Sequence, residues 1–432
     1  MSAAVRSFET QWRARTPDAL QPIRELAMQR FLKLGLPSLR DETWRYTDLR
    51  SLAAQSFAAA GCEPSATVAS APALSLLDAG QHATLTMVNG CPLLDAEIPK
   101  LNGIEISTIR DLYKQDSRTL ARFFETASDA EQRRWVLLNT ALFIDGLYLK
   151  ITEAVATPIV ILHRATGDGA QAAHPRIIID ASPGASATII EHHLAQGDSA
   201  PLTNSNTRIA LARDAQLEHY RVFATGPGAT HVDALDIEQS QDSQCRQFTI
   251  VLGGGLVRSS LEVRLNQPGA NLDSYSLLVG HQDRHVDCVN IVTHAAPNTR
   301  SRQTARAIAS DSSRVIFNSK VIVNAGANGA DSKQSCRGLL LSPSAEIDTR
   351  PQLEIHADEV KCAHGATTGR LDPDMLFYLL SRGLDRETAQ SLLVYAFLAD
   401  VLTGMSVSSA RAAIENALIS QLPDSQILRK FR

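Results

Sequence analysis

Much of what marks a familiar enzyme or membrane protein is missing from this chain. Aromatic residues make up only 5% of its 432 residues, which is thin for a groove that would stack sugar rings. No apolar run approaches the twenty or so residues of a membrane span, and the opening string MSAAVRSFETQWRAR has no apolar signal core. Charge of one sign is lacking too. Lys and Arg number 42 against 46 Asp and Glu, a formal net charge of −4, so there is no basic footprint for nucleic acid and no polybasic anchor for a membrane. The six cysteines, at 62, 91, 245, 288, 336 and 362, are too sparse for a disulfide framework, and none forms a C-x-x-C pair. They read as reduced thiols in a cytoplasmic protein whose partners are other proteins or small species.

Catalytic motifs are absent as well. No G-x-x-x-x-G-K-[ST] occurs; Gly253-Gly254-Gly255 runs into Leu-Val-Arg-Ser without the lysine that a phosphate cradle requires. There is no G-x-S-x-G elbow, no H-E-x-x-H and no dinucleotide fingerprint between a strand and a helix. The chain is not itself an ATPase.

What is present is a change of period along the chain. Hydrophobic residues are 44% of the total, enough for a sizeable core in two or three domains. Residues 5 to 34 read as helix in two pieces interrupted at Pro17 and Pro22 and stopped at Gly35-Leu36-Pro37. Residues 52 to 85, rich in Ala, Ser and Pro, read as a loose connector. A helix in DAEQRRWVLLNTALFIDGLYLKI ends at the Asp145-Gly146 turn and gives way to a strand. From about 150 to 365 short strands dominate, broken by bends such as Pro183-Gly184-Ala185, Asp214-Ala215, Pro227-Gly228-Ala229, Pro268-Gly269-Ala270, Ala325-Gly326-Ala327 and Ser344-Ala345. Their unequal separations argue against a propeller and fit a solenoid with irregular rungs better. A β-sandwich stays open on pattern alone. Beyond Gly369, helical spacing returns in Asp374 to Ser381, Arg386 to about Thr403, and Ser408 to Gln421, an amphipathic bundle. The domains expected are therefore 1–149, 150–369 and 370–432.

The stretch Pro351 to Gly369, PQLEIHADEVKCAHGATTG, holds the most specific chemistry. Cys362 and His364 lie two apart, so on a strand both project to one face and could share a soft or borderline metal or a cluster. The spacing equally suits a small buried cysteine and a strand-end histidine. In PQLEIHA the apolar phase falls on Leu353, Ile355 and Ala357, and in EVKCAH it moves to Val360 and Cys362. Asp358-Glu359 must therefore bend the chain and begin a new, terminal rung, whose strand edges need a cap or a partner. A second group, His281, His285, Asp287, Cys288 and His294, mixes strand parities and reads as structural. His192 and His193 point to opposite faces and make a poor chelate. Cys336 could lie on the same face of a neighbouring rung.

Three strings then match a known family. The run from Thr349, TRPQLEIHADEVKCAHGATTGRLDPDMLFYLLSRGLDRETAQSLLVYAFLADVL, resembles the C-terminal part of the SufB/SufD scaffolds of SUF iron–sulfur cluster assembly, its His-Gly-Ala-Thr-x-Gly form being of the SufD kind. Glu42 to Thr47 is similar to the Glu-x-Trp-x-Tyr-Thr element near the start of these proteins, and is read as structural. LNTALFIDGLYLKI resembles their passage into the central domain. The resemblance implies a mostly β chain: a right-handed parallel β-helix flanked by N-terminal and C-terminal helical domains. It implies a non-catalytic scaffold that pairs with SufB through the β-helix, docks the ATPase SufC through the C-terminal helices, helps acquire iron, and pairs with a second copy of itself when isolated. His364 matches the histidine that faces a SufB cysteine across the site of cluster formation, and Cys362 matches a cysteine close to it. A cluster or iron would be held there only transiently, and two ligands are too few to keep one in the isolated chain. A SufB-type sulfur-accepting scaffold and a β-helix carbohydrate-active enzyme are the competing readings.

Overall fold

The structure is a computed structural model that describes residues 1–62, 82–93, 101–124, 133–166, 169–195 and 201–420. It is mostly β, 43% strand against 24% helix, with a solenoid of about seven turns and helical regions on its flanks. Each turn gives one strand to a sheet of eleven and one to a sheet of ten. Along the larger sheet the register runs from Leu202 to Thr230, Leu256, His285, Arg314 and Glu346, all parallel. Its steps are thus 28, 26, 29, 29 and 32 residues, which is why no fixed repeat shows in the sequence. Parallel pairing between strands a full turn apart excludes the antiparallel sandwich.

The bends work as corners with plugs. Ala185, Ala215, Ala229, Ala270, Ala327 and Ala345, each just past a bend, are all buried, because a small side chain is what fits where the two sheets converge. The glycine triplet at 253–255 is one such corner. A Cβ on Gly255 would stand 2.1 Å from the Pro227 carbonyl oxygen of the preceding turn, a backbone atom with nowhere to go. Gly255→Ala should therefore cost about 1–3 kcal/mol in urea unfolding; a cost within about 0.5 kcal/mol would show that this corner is loose.

The two N-terminal helices are Ala3–Arg13 and Gln21–Leu34. Pro17 lies between them, but Pro22 does not interrupt; it sits in the first turn of the second helix, where its missing N–H costs nothing. Both pack on the helix Arg134–Leu142 through Phe8, Phe31, Trp44 and Trp135. The stretch 52–85 contributes structure where a loose connector was expected: Ala58–Ala59 pairs with Gln171–Ala173, and Ala83–Val88 with Ile159–Ala165. Residues 63–81 of it lie outside the described residues. Cys245, Cys288, Cys336 and Cys362 are free thiols as expected, whereas Cys62 and Cys91 are joined in a disulfide. The pairing follows from the fold: Asn89 donates to the Gly61 carbonyl at 2.7 Å and so draws together two segments 29 residues apart.

At the other end, Arg386–Leu402 and Ser408–Ser420 lie on the outer face of the ten-stranded sheet. Val394, Leu398, Val401 and Ile414 bury against Val222, Phe248, Ile250 and Leu277. Arg306 closes on Asp400, and Ser406 donates to Glu218 at 2.5 Å, pinning the lobe at its edges. The preceding helix, Pro373–Ser381, starts at an Asp372 cap, yet buries none of its residues.

Candidate functional site

The bend at Asp358-Glu359 splits the last rung as its phase shift requires. Glu346–Ile355 ends the larger sheet, and Lys361–Gly369 ends the smaller one. Lys361–Gly369 is hydrogen-bonded to Asp331–Leu340 on one side only, and every residue in it except Cys362 is exposed. Five of the ten residues in the strand beside it are buried. An edge this open leaves a row of N–H and C=O groups free of any partner strand among the described residues, the feature by which edge strands can pair with another chain.

Cys362 and His364 do share a face of this strand. Their register partners, Ser332 and Gln334, are both buried, so the shared face is the one turned to the inside of the solenoid, here at its open end. Cys362 packs with Leu353, Ala357 and Val360 against the main core, and its partial burial pushes the thiol above its ordinary range, against a backbone hydrogen bond with Ser332 that lowers it. A protonated, half-covered thiol becomes a ligand only when a metal or a partner displaces its proton. His364 is exposed. It stands at the end of a groove of about 810 Å³ that runs along the outer face of the larger sheet past Trp44, Arg133, Glu262, Lys320 and Arg350. The acids nearest to a catalytic pair in this groove, Asp236 and Glu262, are both tied to Arg133.

His364 is also the last member of a row that the sequence did not reveal. Register places His219, Gln247, Ser274, Gln303, Gln334 and His364 side by side, one from each successive turn. The first five are buried. Ser274 donates to Gln247 at 3.3 Å, and Ser319 links Gln303 and Gln334 at 2.9 and 2.6 Å. A β-solenoid interior is normally apolar, so a polar side chain at the same phase in five consecutive turns was the available signal. The unequal rung lengths hid it.

The other candidates separate cleanly. Thr47 donates to Asp287 and lies 3.0 Å from His285 Nε2, while Arg258 pairs with Asp287 and lies over the Trp44 ring at 4.5 Å. His285 and Asp287 thus anchor the Glu42–Thr47 string to the solenoid wall. Cys288 is buried inside, and burial pushes its thiol up to about 12; Cys336, beside Ala366, is likewise pushed up to about 12. His294 bonds Ser301 at 2.9 Å, and His281 lies away from both. His192 and His193 do face opposite ways: Ile189 and His193 share the parity of the interior core, and Ile190 that of the outer face.

Comparison with known proteins gives these features a context. Residues 163–397 match the family model described as SUF system FeS cluster assembly, SufBD core domain, and residues 6–161 match that of the SufBD protein N-terminal region. The chain is 29% identical over 421 residues to the iron–sulfur cluster assembly protein SufD of Escherichia coli, covering 96% of this chain and 95% of that protein. It is 30% identical over 395 residues to an iron–sulfur cluster assembly SufBD family protein of Mycobacterium leprae, covering 89% and 91%. With SufD of Bacillus subtilis the identity is 24% over 74% of each chain. Among the described residues no helix is long and apolar enough to cross a membrane. The chain belongs to the SufBD family of SUF iron–sulfur cluster assembly proteins and is similar to SufD within it.

Proposed function

We propose that this chain is a cytoplasmic, non-catalytic SufD-type scaffold whose last rung pairs with SufB and presents His364 to a nascent cluster. The observation that carries this is the bare terminal strand Lys361–Gly369, which holds His364 exposed at the open end of an otherwise filled solenoid. The cluster is cargo. Imidazole from His364 would complete a ligand set supplied mainly by the partner, with Cys362 behind it as a thiol that ionises on metal contact. Iron could enter the same site. When isolated, the strand edge would pair with its own copy. The helix Pro373–Ser381 follows directly, and its Met375, Phe377 and Tyr378 are 58%, 71% and 56% exposed. An apolar face of this kind suits the docking of SufC on the C-terminal helices.

The test is cluster formation by the chain co-expressed with SufB and SufC. His364→Ala should leave the three proteins co-purifying and lower the cluster content about tenfold, the scale expected when a ligand or its support is removed. Cys362→Ala should act in the same direction more weakly. Loss of co-purification would make His364 an interface residue, and an unchanged cluster content would remove it from the site.

A further inference from the structure

The polar interior has a second centre, six strands from the open end. Register brings His163, His193 and Phe223 side by side in three successive turns. The His193 ring is stacked between the other two, with centroids 4.1 and 4.9 Å away. Glu191, on the same inward face, is fully buried. Its Oε2 lies 3.2 Å from His163 Nε2 and 3.8 Å from His193 Nε2, and the Thr207 hydroxyl donates to the same oxygen at 3.0 Å. Its other oxygen is 2.8 Å from His219 Nε2. From the facing sheet His231 sets its ring edge-on to His193 at 4.6 Å, beside Asp233.

Two facts are unexplained by packing. Neither ring nitrogen of His193 has a hydrogen-bond partner although the side chain is buried, an arrangement that costs the full desolvation of each group left unpaired. And the three imidazoles His163, His193 and His231 border one small cavity of about 10 Å³, rimmed also by Asn89, Gly90, Arg164 and Pro175, with Glu191 just outside its lining. That is room for a single water or ion.

We propose that His163, Glu191 and His193 form an interior binding site for one divalent transition-metal ion, with a water in the fourth position. The donor set is imidazole with carboxylate, which suits Zn²⁺ or Fe²⁺ and not Ca²⁺ or Mg²⁺. The separations of 3.2 and 3.8 Å from Glu191 Oε2 are close to the edge of about 3.3 Å in a tetrahedron with 2.0 Å bonds, and the stacked His163 and His193 rings would tilt apart to aim both nitrogens at one ion. His219 and Thr207 hold the carboxylate in place, the supporting contacts that a metal ligand needs. Glu191 offsets one of the ion's two charges, since Asp233 is already paired with Arg221.

The measurement is Co²⁺ titration of the full chain, followed by d–d absorption and by metal content after gel filtration. One Co²⁺ per chain is expected, with a nitrogen and oxygen spectrum free of sulfur charge transfer. His193→Phe keeps the ring stack and removes both nitrogens; it should lower affinity a hundredfold or more while leaving the far-ultraviolet dichroism of the parent. The double variant Cys362→Ala/His364→Ala should bind like the parent, which separates this site from the last rung. The proposal is overturned if the parent takes up no Co²⁺, if a folded His193→Phe binds as tightly, or if uptake disappears in the double variant instead.

Discussion

Arg221→Met is expected to lose about 3–5 kcal/mol of unfolding free energy, the cost of stripping the partner from a fully buried charge. Arg221 and Asp233 are both completely inaccessible and paired across the two sheets. Arg221 also donates to Thr249 Oγ1 at 2.8 Å, and Asp233 accepts from Ser205 at 2.6 Å. Methionine fills most of the space of the arginine stem, so the loss reports the stranded carboxylate rather than a cavity. Burial already pushes the Asp233 carboxyl above its ordinary range, with Arg221 opposing that rise. Without the guanidinium the acid has to take up a proton, and the variant's deficit relative to the parent should shrink as pH falls from 7 toward 5. Asp233→Asn in the same background should restore a large share of the loss, because it removes the charge and keeps the shape. Urea unfolding of the parent, Arg221→Met, Asp233→Asn alone and the double variant gives the coupling between the two sites. A coupling below about 0.5 kcal/mol would mean that water reaches this pair and that the interior is wetter than its packing implies.

The pair also marks where the sequence stops being legible. The last rung could be read because its signal is local: the apolar phase shifts between Ile355 and Val360, and Asp358-Glu359 supplies the bend. The helix ends were readable for the same reason, with Asp372 and Asp385 capping Pro373–Ser381 and Arg386–Leu402. His193 illustrates the opposite case. Its parity shows correctly that His192 cannot be its chelating partner, but its neighbours His163 and Phe223 stand 30 residues away on either side. Turn-to-turn steps that vary from 26 to 32 residues leave no fixed period by which such a row could be found. The same holds for the row ending at His364, whose members are ordinary Gln and Ser until register aligns them. Cys62 and Cys91 were unreadable because no motif links them; the contact is made by Asn89 and Gly61.

Acid should unfold this protein well before its carboxylates titrate. Burial, as the first cause, lowers seven histidines from their ordinary value, five of them far: His174 and His231 to about 3, His192 and His294 to about 4, and His193 well below the usual range. Nearby basic side chains add to the effect at four of these five, His163 beside His192, His193 and His231, and Arg15 beside His174. In the unfolded chain each would protonate near pH 6.5. Below that pH the unfolded state binds protons that the folded state refuses, so the stability these groups contribute is complete above about pH 6.5 and is lost as pH falls. Each histidine is worth up to roughly 2 kcal/mol between pH 7 and 5, and the five together rival the whole net stability of about 5–15 kcal/mol typical of a folded domain. Glu191, drawn below the ordinary carboxylate range by His163 and His219 against the opposing pull of burial, extends the loss to lower pH with the same sign. The alkaline side is the mirror case. Burial pushes the thiols of Cys245, Cys288 and Cys336 up to about 12, so the unfolded chain releases protons above about pH 8.5 that the folded one keeps, and stability declines there too. The profile expected from urea midpoints is a plateau between about pH 6.5 and 8.5 with a steep acid limb and a shallower alkaline one. His231→Gln, which cannot protonate, should make the acid limb shallower by about 1.4 kcal/mol per pH unit. An acid limb that begins only near pH 4 would show that these histidines already carry their protons in the folded solenoid.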